Sequence, residues 1–166
     1  MNELTLARQV AESVPDPELP MLTLADLGIL RDVTVAGSRV VVSLTPTYSG
    51  CPAMAEMRSD LVGKLAEAGL TDVEVRTVLS PPWSTDWISE AGRRKLADAG
   101  IAPPALAPRP ASGPIPLKLT VSSQRVSCPA CGSFDTERTA AFSTTACKDL
   151  YRCRGCAEPF EHVKEI

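Results

Sequence analysis

Five of the six cysteines fall after residue 127, and four of these form two CxxC pairs, Cys128-Pro129-Ala130-Cys131 and Cys153-Arg154-Gly155-Cys156, with 21 residues between them. In such a knuckle two thiolates and several backbone N–H groups converge on one metal ion, and two knuckles complete a tetrahedral set of sulfurs. Structural zinc is the first chemistry the pattern points to. A rubredoxin-like iron or other iron–sulfur site and a redox-active thiol set are the alternatives. Gly132 and Gly155 are expected to let the backbone turn closely around the sulfurs. Binding energy on the order of 10 kcal/mol for such a site is folding energy, so the tail around it should need its metal.

Cys147 is left over once four ligands close the sphere. It reads as a buried small residue, or as a spare thiolate that exchanges with, or sits beside, another metal. His162, the only histidine, is expected on the surface of a ribbon strand. Cys51 lies in Thr47-Tyr48-Ser49-Gly50-Cys51-Pro52-Ala53-Met54, where a strand gives way to a helix. With Pro52 at the first helical position, Cys51 would be the N-cap, its sulfur facing the positive end of the helix dipole and favouring thiolate. A purely structural cap is the other reading. Asp16 and Glu18 present exposed carboxylates on a Pro-fixed turn, or serve as hard oxygen ligands or partner contacts.

The elements that must position these residues can be read from periodicity. Leu4–Val14 carries a helical apolar stripe that ends before Pro15. The run Pro15–Pro20 should be extended and rigid. Ile29–Val35 and Arg39–Thr45 read as a hairpin around Ala36-Gly37-Ser38, with the second strand well buried. A helix from Pro52 to about Ala68 stops at Gly69, and Asp72–Leu79 alternates as a third strand. Pro81-Pro82-Trp83 breaks the chain before a polar helix over Asp86–Ala99, for which Trp83 and Trp87 read as anchors. The fold class is therefore α+β, a small sheet with helices on one face, over residues 1–100. Six prolines between Ile101 and Pro116 read as a stiff linker over 101–116. A β ribbon over 117–166 follows, with strands from Leu117–Val126, Ser133–Phe142 and Glu158–Val163.

Composition narrows the function. The first hundred residues carry 9 Lys/Arg against 14 Asp/Glu, and the remainder 8 against 6. Four thiolates around one divalent ion add −2 and bring the tail near neutrality, so the basic footprint of a nucleic-acid-binding ribbon is missing. No apolar run approaches the roughly 20 residues of a membrane span. The charged start, MNELTLARQVAES, does not read as an export signal, so a reducing cytoplasm is expected, where paired cysteines serve as metal ligands before disulfides.

The segments Asp16-Pro17-Glu18, Asp26-Leu27-Gly28-Ile29, and Thr45-Pro46-Thr47 through Gly50-Cys51-Pro52 together resemble the SufT-like domain of iron–sulfur cluster assembly proteins over about residues 4–99. That family's hallmark positions, an acidic Pro segment and a lone cysteine before proline, correspond to Asp16, Glu18 and Cys51. With Ser80-Pro81-Pro82-Trp83-Ser84-Thr85-Asp86-Trp87, the ribbon, the Ser143–Lys148 stretch and Glu158-Pro159-Phe160, the whole chain is similar to the PaaD family of aerobic phenylacetate degradation. The resemblance implies an accessory or maturation factor of the ring-epoxidising phenylacetyl-CoA monooxygenase, with the iron–sulfur reductase of that system as partner and no catalysis of its own. A structural subunit of the complex and a zinc-ribbon binding module are the rival readings. It implies structural Zn²⁺ at Cys128, Cys131, Cys153 and Cys156, and a transient iron–sulfur cluster or iron. Cys51 would be the transient thiolate ligand, Asp16 and Glu18 would contact metal or partner, and Cys147 would bring a second thiol to a shared cluster.

Overall fold

Asn2 caps the first element, its side-chain oxygen accepting from the Thr5 N–H at 2.7 Å, and so starts helix α1 (Glu3–Glu12). The computed structural model describes residues 2–48, 50–106 and 125–165. These divide into one unit ending at Ala99 and another from Gly100 to Glu165.

In the first unit, β1 (Leu30–Ala36) and β2 (Arg39–Leu44) form the expected antiparallel hairpin, and β3 (Val73–Thr77) joins the other edge of β2 in parallel. Helix α2 (Met54–Glu67) makes the crossover that a parallel pair requires. Val33, Val40, Val42 and Leu44 share one sheet face and are buried. Both helices pack against the sheet and against each other, and Ala7 and Ala11 are the side chains α1 buries. This is the α+β arrangement read from the sequence.

The segment expected as one helix over 86–99 is broken. A single 3₁₀ turn (Thr85–Trp87) is followed by extended Ile88, and Ser89 caps α3 (Glu90–Asp98) by accepting from the Gly92 N–H at 2.9 Å. Ser89 competes for the backbone and restarts the helix. Asp26-Leu27-Gly28 is the seat for this terminal segment. The Leu27 carbonyl accepts from the Trp83 indole at 2.9 Å, and the Asp26 carbonyl from the Ser89 N–H at 2.8 Å. The Asp26 carboxylate accepts from Lys95 Nζ at 2.6 Å. Burial raises the Asp26 pKa, but Lys95, the Thr23 N–H and the Ser89 hydroxyl outweigh it and hold the carboxyl below its usual range.

In the second unit the strand order is β4-β7-β6-β5, from β4 (Ile101–Ala102), β5 (Thr136–Ala140), β6 (Lys148–Cys153) and β7 (Pro159–Val163). The sequence reading supplied no strand over 148–153, because the polar start of β6 masks its alternation; Lys148 and Asp149 are nonetheless buried. Ile101 and Ala102, read as the start of the linker, pair in parallel with β7. Ala102 and Val126 lie in one buried cluster with Cys128, Tyr151, Cys153 and Phe160. The Pro-rich stretch is therefore bounded on both sides by described residues of the same unit. Its residues 107–116, and most of the strand expected over 117–126, lie outside the described residues.

His162 departs from expectation: it is 2% exposed, not a surface side chain. β7 is a central strand, flanked by β4 and β6, and the contacts of the ring come from β6. Its Nδ1 sits 2.8 Å from Asp149 Oδ1, and the ring meets Tyr151 edge-on at 5.5 Å.

Candidate functional site

One knuckle lies in the turn ahead of β5, and the other at the end of β6 and in the turn that leads to β7. The Gly132 N–H donates to the Cys128 carbonyl at 2.8 Å and the Cys153 N–H to the Glu158 carbonyl at 2.9 Å, closing the two loops. Backbone N–H groups also point at sulfur: those of Cys156 and Gly155 at Cys153, that of Ser133 at Cys131, and that of Glu158 at Cys156. Gly132 holds φ +73°, as expected, but Gly155 does not supply the second left-handed position. Ala157, also one residue past the last sulfur of its knuckle, takes φ 64° instead. Nor does a close approach require glycine at 155, since a Cβ there would stand in ordinary van der Waals contact, 3.6 Å from Cys153 Sγ.

The sulfurs fit a metal. All four Sγ atoms lie within 4.8 Å of one another. The cross-knuckle pairs Cys128–Cys156 and Cys131–Cys153 are 3.7 and 3.6 Å apart. A tetrahedron with metal–sulfur bonds of about 2.3 Å has edges of about 3.8 Å, and a disulfide needs about 2.05 Å. The spacing is that of a four-thiolate metal centre. Without a metal the sulfurs share protons unequally. Hydrogen bonds, first from the Cys156 N–H, bring Cys153 down to about 7. Cys156, despite the Glu158 N–H, is pushed up to about 12 by Cys131, Cys153 and Cys128 around it. A divalent ion held by the four sulfurs would take the place of those protons. Cys128 and Cys153 are buried while Cys131 and Cys156 are exposed, so the centre is half core and half surface.

The other sequence-read residues do not join this centre. Among the described residues, the four ribbon cysteines are the only group of three or more potential ligands in metal-binding reach of one another. Cys147 precedes β6 and Cys153 ends it, so six residues of strand, roughly 20 Å, separate them. Cys147 is half-buried, with the Thr145 hydroxyl 3.1 Å from its sulfur.

In the first unit the cap of α2 is Ala53, which makes no side-chain hydrogen bond, and not Cys51. Pro52 and Ala53 form a turn ahead of the helix. There the Cys51 carbonyl accepts from the Met54 N–H at 3.4 Å, and the Cys51 N–H donates to the Tyr48 carbonyl at 3.3 Å. Cys51 is 9% exposed. Asp16 is buried at 4% exposed, so it is not the exposed carboxylate of a turn. Its Oδ1 accepts from the N–H groups of Glu18 and Leu19 at 2.9 and 2.7 Å, folding the Pro-rich loop onto itself. Glu18 is half-buried.

Sequence reasoning missed one feature. A pocket of about 330 Å³ lies between residues 45–48 at the end of β2 and Leu79, Pro82 and Trp83. Thr45 lines it and has a buried hydroxyl with no hydrogen-bond partner among the described residues. A threonine ending a β-rich run carries no signal of that kind.

Comparison with known proteins follows these two units. Residues 8–78 match the iron–sulfur cluster assembly protein family, and residues 113–164 match the PaaD zinc beta ribbon domain. The class is thus an iron–sulfur-assembly domain joined to a zinc ribbon. The chain belongs to the PaaD family of phenylacetyl-CoA epoxidase proteins. It is 43% identical over 157 residues, 92% of this chain and 87% of the relative, to a protein of Escherichia coli (strain K12) assigned as a subunit of 1,2-phenylacetyl-CoA epoxidase. It is also 37% identical over 85 residues, half of this chain and 96% of the relative, to the Fe-S protein maturation auxiliary factor SufT of Staphylococcus aureus (strain USA300). Among solved structures, a DUF59 domain of unknown function from Bacillus anthracis matches with TM-score 0.50 and 32% identity, covering 55% of this chain and 88% of that one. No helix among the described residues is long and apolar enough to cross a membrane.

Proposed function

We propose that this protein is an accessory factor of a phenylacetyl-CoA epoxidase that helps mature the iron–sulfur centre of a partner subunit, with the system's reductase as client. One observation carries the reading: a domain similar to a maturation factor, with Cys51 in its β2–α2 loop, shares a chain with the PaaD ribbon. Zinc is the ion we assign to Cys128, Cys131, Cys153 and Cys156, because four thiolates at tetrahedral spacing with no open position suit a structural zinc. The ribbon is then a rigid recognition module at the C-terminal end of the chain, and the cytoplasm is where its thiols stay reduced.

In this reading Cys51 is a transient thiolate ligand for iron, with Asp16 and Glu18 shaping the loop and facing metal or partner. At 9% exposure, Cys51 can meet a client only if the loop before Pro52 opens. Asp16, with Oδ1 committed to two backbone N–H groups, acts by holding its loop.

The same burial of Cys51 supports a second reading, a structural subunit that handles no metal cargo. Gel filtration of the co-expressed complex separates the two. A maturation factor is expected to elute apart from the assembled epoxidase, whereas stoichiometric co-elution at every dilution would favour the structural subunit.

A further inference from the structure

Arg31 is the extra residue of a β-bulge. Leu30 pairs with Leu44 and Asp32 with Ser43, which leaves Arg31 without a cross-strand partner. Bulges re-aim side chains. Here the guanidinium lies over the Trp87 ring, 3.6 Å from its centroid. Trp87 is itself seated against Gly28. A cation–π contact of this kind holds the guanidinium without using its N–H donors, and none of them has an acceptor among the described residues.

Arg31 also lines a pocket of about 340 Å³, together with Arg8, Glu12 and Asp32. Arg8 is loosely held, 3.4 Å from the Val33 carbonyl and 3.9 Å from Asp32. The pocket is thus lined by one arginine whose guanidinium is held over Trp87 and by a second, Arg8, that is loosely held.

We propose that Arg31 and Arg8 form a docking site for a carboxylate side chain, an aspartate or glutamate, of a partner protein. A planar guanidinium pairs bidentately with a carboxylate, and holding it in place beforehand removes part of the entropic cost of binding. Local charge selects the ligand. Glu12 and Asp32 in the lining oppose a phosphate dianion more than a carboxylate, and the acidic excess of the first hundred residues, 14 Asp/Glu against 9 Lys/Arg, repels a free polyanion. That excess draws in a basic protein surface, on which a single acidic side chain would find the two arginines. The proposal rests on the reading that the chain serves a partner protein, and its test reads neither metal nor cluster.

The test titrates full-length protein with N-acetylglutamate amide, following the Trp87 indole and Arg31 Nε–H resonances by NMR. The glutamine analogue and inorganic phosphate serve as comparison arms. A saturable shift with the glutamyl probe alone is expected. Arg31→Met keeps an unbranched stem on Trp87 and should weaken binding by at least about tenfold. Arg8→Met, on a helix surface, should weaken it several-fold. Arg94→Met, an exposed arginine of α3, should leave it unchanged. No saturation, an equal response to the glutamine analogue, tighter binding of phosphate, or full affinity in Arg31→Met and Arg8→Met would overturn the proposal.

Discussion

Stripping the metal with a strong chelator is expected to unfold the ribbon unit while leaving the first unit folded. Among the described residues the buried cluster of the ribbon has six members, and two of them, Cys128 and Cys153, belong to the candidate metal centre. Metal binding at such sites contributes about 10–16 kcal/mol, several times what burial of Tyr151 and Phe160 offers at roughly 1.5–3 kcal/mol per side chain. NMR gives the readout: the dispersed resonances of Tyr151, Phe160 and His162 should collapse toward random-coil values, while those of Trp83 and Trp87 stay put. Cys153→Ser should reproduce the collapse. Cys147→Ser should retain one metal per chain, because Cys147 stands at the far end of β6. A ribbon that stays folded after chelation would mean that its core does not depend on the ion.

Gly28→Ala is expected to cost about 2–4 kcal/mol, adding an overpacking cost to that of a left-handed non-glycine residue. Gly28 holds φ +68°, and an added Cβ would lie 2.6 Å from Trp87 Cβ and 2.8 Å from the Trp87 carbonyl oxygen. Neither neighbour can yield easily, since Trp87 is part of the turn that delivers Ser89 to Asp26. Gly37 is the control: its φ is +67°, yet nothing lies within 4 Å of an added Cβ. Gly37→Ala should cost only about 1 kcal/mol. Urea midpoints followed by tryptophan fluorescence measure both. Equal losses would show that the Asp26-Leu27-Gly28 seat does not hold the terminal helix.

Much of this was legible in the chain because the governing constraints are local. CxxC spacing dictates convergent sulfurs, Gly37 marks the hairpin, and the apolar stripe of α1 needs no tertiary context. Trp83 and Trp87 read correctly as anchors because large amphipathic rings are seldom left unpacked. What failed depended on partners distant in sequence. Ile101 and Ala102 look like linker residues until β7 lies beside them. His162 looks like a surface residue until β4 and β6 flank it and Asp149 pairs with it. Cys51 fits an N-cap by sequence, yet a turn through Pro52 and Ala53 moves the helix start on to Met54. At Ala157 the backbone needs a left-handed residue that the sequence fills with alanine, so the glycine rule pointed to Gly155 instead.

The most direct measurement of the central claim is the iron and acid-labile sulfide content of the epoxidase reductase, purified from cells that co-express this protein either as wild type or as Cys51→Ser. Zinc content of the Cys51→Ser protein itself should be unchanged, since Cys51 lies outside the ribbon centre. The account predicts a reductase markedly depleted in cluster when Cys51 is replaced. A fully loaded reductase beside a folded, zinc-replete Cys51→Ser protein would contradict it.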